Sequence, residues 1–241
     1  GQIGFTVSCA LLGSAVGAAA AGMLANRFGR VRTMQVAAVF LVAAALGSGL
    51  ASAVRDLILW RLVGGIGVGV ASVIAPTYIA EIAPARIRGR LGSMQQLAIV
   101  LGIFAALLSD AWLAGTAGGA SAPLWFGLAA WRWMFLVATV PALIYGTLVL
   151  GVPESPRHLV AKGRIDEARV VLREVLNMHS EAALDSKLRD IEDSLRSEHK
   201  PRLSDLRGKA VGLLPVVWIG ILLSVFQQFV GINVIFYYSS T

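Results

Sequence analysis

Long windows of this chain carry no charged residue, among them 5–25, 34–54, 133–152 and 211–238. Each is long enough to cross a hydrocarbon core about 30 Å thick, which takes roughly 20 residues of helix. Backbone polar groups in lipid must be satisfied within the chain, and uncharged stretches of this length achieve that as helices rather than as short alternating barrel strands. Two further windows, 57–80 and 91–108, carry at most one charge. The expected fold class is therefore all-α: a polytopic membrane helix bundle of six spans, with a small helical segment outside the bilayer.

The formal net charge is +7, which would suit nucleic acid if it formed a surface patch. Its placement argues for lipid as the partner instead. Arg27, Arg30 and Arg32 stand between the first two spans, and Arg86, Arg88 and Arg90 between the third and fourth. The alternate connections offer only Arg55 and, at a helix boundary, Arg132. Clustered arginines mark the cytoplasmic side, so the first span is expected to run from outside to inside. The single cysteine, Cys9, excludes an intramolecular disulfide and is expected to pack as a small hydrophobe. The chain opens without Met or a basic leader, and it stops soon after an apolar run. The expectation is that both ends are cut.

Residues 153–210 differ in kind, with acidic and basic residues almost balanced. Ile165, Ala168, Leu172 and Val175 recur at helical spacing, as do Leu184, Leu188, Ile191 and Leu195. This segment is expected to form short amphipathic helices at the cytoplasmic face. The division is then 1–152 for five spans, 153–210 for the cytoplasmic helices and 211–241 for a sixth span. Residues 110–130, rich in Gly, Ala and Ser, are expected to form an outer loop, with Trp125, Trp131 and Trp133 suited to an interfacial belt. Gly13, Gly17 and Ala21 line one face of the first span, and Gly65 and Gly69 one face of the third. Such faces admit close helix packing in lipid, and a sliding surface would need the same residues.

Three motifs stand at inner helix ends: Gly22-Met-Leu-Ala-Asn-Arg-Phe-Gly-Arg-Val-Arg32, with a tight turn at Gly29; Pro76-Thr-Tyr-Ile-Ala-Glu-Ile-Ala-Pro84, followed by Arg86, Arg88 and Gly89; and Val152-Pro-Glu-Ser-Pro-Arg157. Glu81 lies at a membrane boundary beside basic residues, which suits an ion pair that opens and closes. In the last span stands Phe226-Gln-Gln-Phe-Val-Gly-Ile-Asn-Val-Ile-Phe-Tyr-Tyr238. In order and spacing these motifs resemble the sugar porter family of the major facilitator superfamily. The resemblance covers essentially the whole chain and implies that its spans are helices two to seven of that fold. Asn26 stands where many relatives carry Asp, and Val31 where a second consecutive basic residue is common.

An amide in an apolar span marks either helix–helix hydrogen bonding or a substrate path. Sugars are neutral polyols, held best by groups that both donate and accept, as Gln96, Gln227, Gln228 and Asn233 do. The resemblance implies that these four contact a monosaccharide and that Tyr237 helps to occlude it. On an ideal helix Gln228 and Asn233 lie roughly 140° apart, so an irregularity near Gly231 is expected. Arg61 either snorkels to the nearby interface or serves proton coupling, the role the resemblance suggests. Asp56 and Asp110 are expected at loops or helix ends. The resemblance assigns Arg30, Glu81 and Arg88 to an inner gate. His158, His179 and His199 are expected to be solvated, without metal-ligand spacing. No phosphate-binding loop or catalytic constellation is found, so neither an enzyme nor a cofactor is expected.

The expected function is monosaccharide transport across the cytoplasmic membrane by alternating access, as sugar:proton symport. The alternatives are facilitated diffusion and a truncated product without transport. A sugar sensor would carry a long signalling extension.

Overall fold

The computed structural model describes residues 2–175, 180–197 and 215–229. It falls into two compact units, Gly1–Glu192 and Asp193–Thr241. In the first, α1 (Gln2–Phe28), α2 (Arg30–Leu50), α3 (Val54–Ile82) and α4 (Ala85–Ala117) are long apolar helices. A fifth apolar stretch, Ala130–Leu150, also has the length of a membrane span. It is built from α5 (Ala130–Val137) and α6 (Thr139–Leu150), broken at Ala138. Pro141 causes the break: it has no N–H for the Val137 carbonyl one turn back, and its ring crowds that carbonyl. Short helices follow, α7 (Pro156–Ala161), α8 (Ile165–Val175) and α9 (Glu181–Ser197). In the second unit α10 (Pro215–Phe229) covers the described part of the last apolar window. Gly231 and the irregularity expected there lie outside the described residues.

α1 and α3 meet backbone to backbone. A Cβ added at Gly13 would sit 2.4 Å from the Leu62 carbonyl oxygen, and one at Gly17 2.3 Å from that of Ile66. From the other side, Gly65 faces the carbonyl of Ala10 and Gly69 that of Ser14, at 2.2 and 2.1 Å. Only hydrogen fits at these four positions. Two apolar helices in lipid gain little from hydrophobic burial against each other, so this close approach is what holds the pair. Toward the arginine-rich end, Ala21, Ala25, Val31, Met34, Ala37, Val70, Ile74 and Val149 close into the packed core.

α4 runs further than the composition of residues 110–130 suggests. Asp110 lies within the helix, not at its end, and Leu113 is buried one turn later. The stop comes at Gly118, whose φ of 79° begins a left-handed cap. Gly119 N–H donates to Ala114 O at 2.9 Å and Gly118 N–H to Gly115 O at 3.4 Å. The true loop, 118–129, is ordered by its own bonds. Phe126 and Gly127 both have positive φ, 56° and 73°, and Leu128 N–H donates to Trp125 O, which together make a type I′ turn. The ring of Trp125, the first residue of that turn, packs against Trp112 on one side and Trp133 on the other.

The charged segment folds by amphipathic packing. Leu159, Ala168, Leu172, Leu184 and Leu188 are buried. Arg169 pairs with Glu181 and Asp185, and Arg173 with Glu181, tying α8 to α9 along an exposed edge.

Candidate functional site

α1 ends at Phe28 and α2 begins at Arg30, so Gly29 alone makes the turn, at φ 100°. The α2 N-terminus would leave backbone N–H groups without acceptors. They are met from far along the chain. Glu154 accepts from Arg30 N–H at 2.9 Å, from Val31 N–H at 3.2 Å and from Ser155 N–H at 2.9 Å. A carboxylate here also faces the positive end of the helix dipole. Gly29 is required twice over, because a Cβ there would lie 2.2 Å from Glu154 Oε2.

The Arg30 side chain turns inward and is buried. One terminal nitrogen donates to Glu81 Oε1 at 2.6 Å; the other reaches Ala25 O and His158 Nδ1, both at 3.3 Å. The other Glu81 oxygen accepts from the Ser155 hydroxyl at 2.5 Å, and Ser155 is fully buried. Tyr78 donates to the Pro153 carbonyl at 2.7 Å. One network thus joins the α2 N-terminus, the α3 C-terminal turn and residues 153–158. Removing one partner from such a buried pair leaves the other charge uncompensated. The three elements can separate only if that cluster opens to water.

His158 is not solvated. It is buried on α7 against Arg30, because the turn after Pro156 directs it into the cluster rather than out of the amphipathic segment. Burial holds its imidazole below the ordinary range; Glu154 and Glu81 oppose this, while Arg30 and Lys162 add to it. His179 and His199 lie outside the described residues.

The other sequence-derived positions are more scattered. Arg88 bonds the Ala83 carbonyl at 3.3 Å, at the start of α4, so Arg30 and Glu81 meet directly while Arg88 caps the adjacent turn. Arg61 lies over the Phe135 ring, 4.6 Å from its centroid. Gln96 is exposed on α4. Gln227 and Gln228 fall near the end of α10, whereas Asn233 and Tyr237 lie outside the described residues. Asp56 accepts from Ala53 N–H and the Ser52 hydroxyl at the start of α3. Among the described residues no His, Cys, Asp and Glu cluster could hold a metal ion. Sequence reasoning gave Glu154, Ser155 and His158 no roles. The signal was the Pro-Glu-Ser-Pro run, which places a carboxylate and a hydroxyl in a stiff turn.

The family model described as "Sugar (and other) transporter" matches residues 1–241. A glucose transport protein of Synechocystis sp. is 55% identical over 98% of this chain and 50% of its own length. The D-xylose-proton symporter of Escherichia coli is 37% identical, with the same two coverages. A solved proton:xylose symporter of the major facilitator superfamily, bound to 6-bromo-6-deoxy-D-glucose, superposes with a TM-score of 0.83 at 35% identity. That match covers 99% of this chain and 52% of the solved one. The chain spans about half the length of the curated relatives it matches.

Proposed function

This chain belongs to the sugar (and other) transporter family of the major facilitator superfamily, and we propose that it works as part of a monosaccharide:proton symporter of the cytoplasmic membrane. The observation that carries the reading is similarity along nearly the whole chain to a proton-coupled xylose symporter, in sequence and in fold. In this reading the sugar meets Gln96 on α4 and Gln227, Gln228, Asn233 and Tyr237 at the last span. Arg61 takes part in proton coupling. The Arg30–Glu81 pair, with Ser155 and Glu154 behind it and Arg88 beside it, forms the inner gate, intact when the inner helix ends are together and broken when they part.

Facilitated diffusion is the second reading; the relative at 55% identity is named a glucose transport protein. Sugar uptake into membrane vesicles carrying the full-length gene product separates the two. Symport requires accumulation of the sugar to collapse when an uncoupler dissipates the proton gradient, and accumulation unchanged by the uncoupler would exclude proton coupling. Residues 1–241 expressed alone are expected to give no saturable uptake; saturable uptake would overturn the view that the path needs a second half.

A further inference from the structure

Two apolar grooves flank α2, and both run up to one basic pocket. The first, of about 470 Å³, lies between α1 and α2, walled by Leu24, Phe28, Val36, Val39 and Phe40. The second, of about 550 Å³, lies between α2 and α6, walled by Val39, Val42, Leu46, Leu143 and Leu150. Val39 borders both, and Gln35 borders both grooves and the pocket. The pocket, about 510 Å³, is lined by Arg27, Arg32, Lys162, Arg164 and His158, with Glu154 as its carboxylate.

The charges there are not cancelled. Glu154 is occupied by backbone N–H groups at the start of α2, and Arg164 is held by Glu167. Among the described residues no carboxylate pairs with Arg27, Arg32 or Lys162. A polar pocket with excess positive charge thus sits directly above two apolar channels separated by one helix.

We propose that this surface binds one anionic glycerophospholipid astride α2. Its phosphate and headgroup sit among Arg27, Arg32 and Lys162, and its two acyl chains run down either side of Val39. Guanidinium and ammonium groups form charge-assisted hydrogen bonds to phosphate oxygens. Neither half alone selects such a ligand: basic loops attract anionic lipid diffusely, and apolar helix faces accept any acyl chain. The selecting feature is the shared wall. Phe28, Arg32 and Gln35 border both the first groove and the pocket, so head and chains of one molecule are engaged together. A soluble phosphate ester would leave both grooves unused.

Native mass spectrometry of the full chain released from detergent tests this, with phosphatidylglycerol and phosphatidylethanolamine at equal concentration and glycerol 1-phosphate as competitor. The expected result is one tightly retained phosphatidylglycerol, preferred over phosphatidylethanolamine and undisturbed by glycerol 1-phosphate. Each cation removed should weaken phosphatidylglycerol roughly fivefold, so Arg27→Gln with Arg32→Gln should nearly abolish the preference. Arg32→Lys should keep it. Lys162→Gln, at the exposed end of α7, gives the single fivefold step if the double variant does not fold. Equal retention of the two lipids, or a preference untouched by Lys162→Gln, would overturn the proposal. Displacement of the lipid by glycerol 1-phosphate would reassign the pocket to a soluble phosphate.

Discussion

Glu154 lies 124 positions from Arg30, yet its carboxylate takes the first backbone N–H groups of α2. Losing an N-terminal cap costs about 0.5–2 kcal/mol, so Glu154→Ala should lower the apparent Tm in detergent by a corresponding amount. Gly29→Ala places a methyl at 2.2 Å from the same carboxylate and at positive φ, so it should displace Glu154 as well as strain the turn. Because both changes remove one contact, the double variant should lose less than the sum of the singles; strict additivity would show that Gly29 acts by conformation alone. His158 supplies a pH dependence. Its folded-state pKa is depressed, chiefly by burial, so its stabilising contribution is complete above the unfolded value of about 6.5. It is lost as pH falls through the folded value. His158→Gln should flatten the melting temperature against pH below about 6.5, and an unchanged slope would remove His158 from the account. The residue types in this cluster were legible, since Arg30 and Glu81 stand in motifs. Their partners were not, because contacts this distant in sequence leave no periodic trace.

The α1–α3 seam places four glycines where only hydrogen fits. Cys9, the single cysteine of the sequence, is buried one turn from it and so reports on it. Gly65→Val drives a side chain into the Ala10 carbonyl, and overpacking of this kind costs about 1–3 kcal/mol. Alkylation of Cys9 by a membrane-permeant maleimide should then quicken by roughly 5- to 150-fold. Gly22→Val, where a Cβ meets nothing within 4 Å, is the control and should leave the rate alone. A slow rate in both would show that the burial of Cys9 does not depend on the seam. The small-residue faces could be read from spacing, although which helix each one met could not. The helices themselves were plain from the uncharged windows, because lipid leaves the backbone almost no other choice. Ends were harder to place. α4 continued through Asp110 to Gly118 because one carboxylate does not outweigh the helix-forming Ala and Leu around it, and the break at Ala138 depended on a single proline.

At the scale of the molecule, α4 is exposed along most of its length, Gln96 included. In the proposed transporter that face looks toward the sugar path. Gln96→Ala in the full-length protein should then raise the half-saturating sugar concentration about tenfold, the effect of one lost hydrogen bond of about 1.4 kcal/mol. The amount in the membrane should stay the same. An unchanged half-saturation would take Gln96 out of the path. The tie between Glu154 and the start of α2 also bears on how the bundle is made. A ribosome adding 5–20 residues per second needs roughly 6–25 s to pass from residue 30 to residue 154. Throughout that interval the first N–H groups of α2 lack their carboxylate and must be served by water or lipid headgroups, which keeps that end at the aqueous border while later helices enter. The clasp closes only when the segment after α6 emerges. A nascent chain stalled short of residue 154 would carry an open hairpin, a mark by which a membrane protease could tell an unfinished half from a finished one.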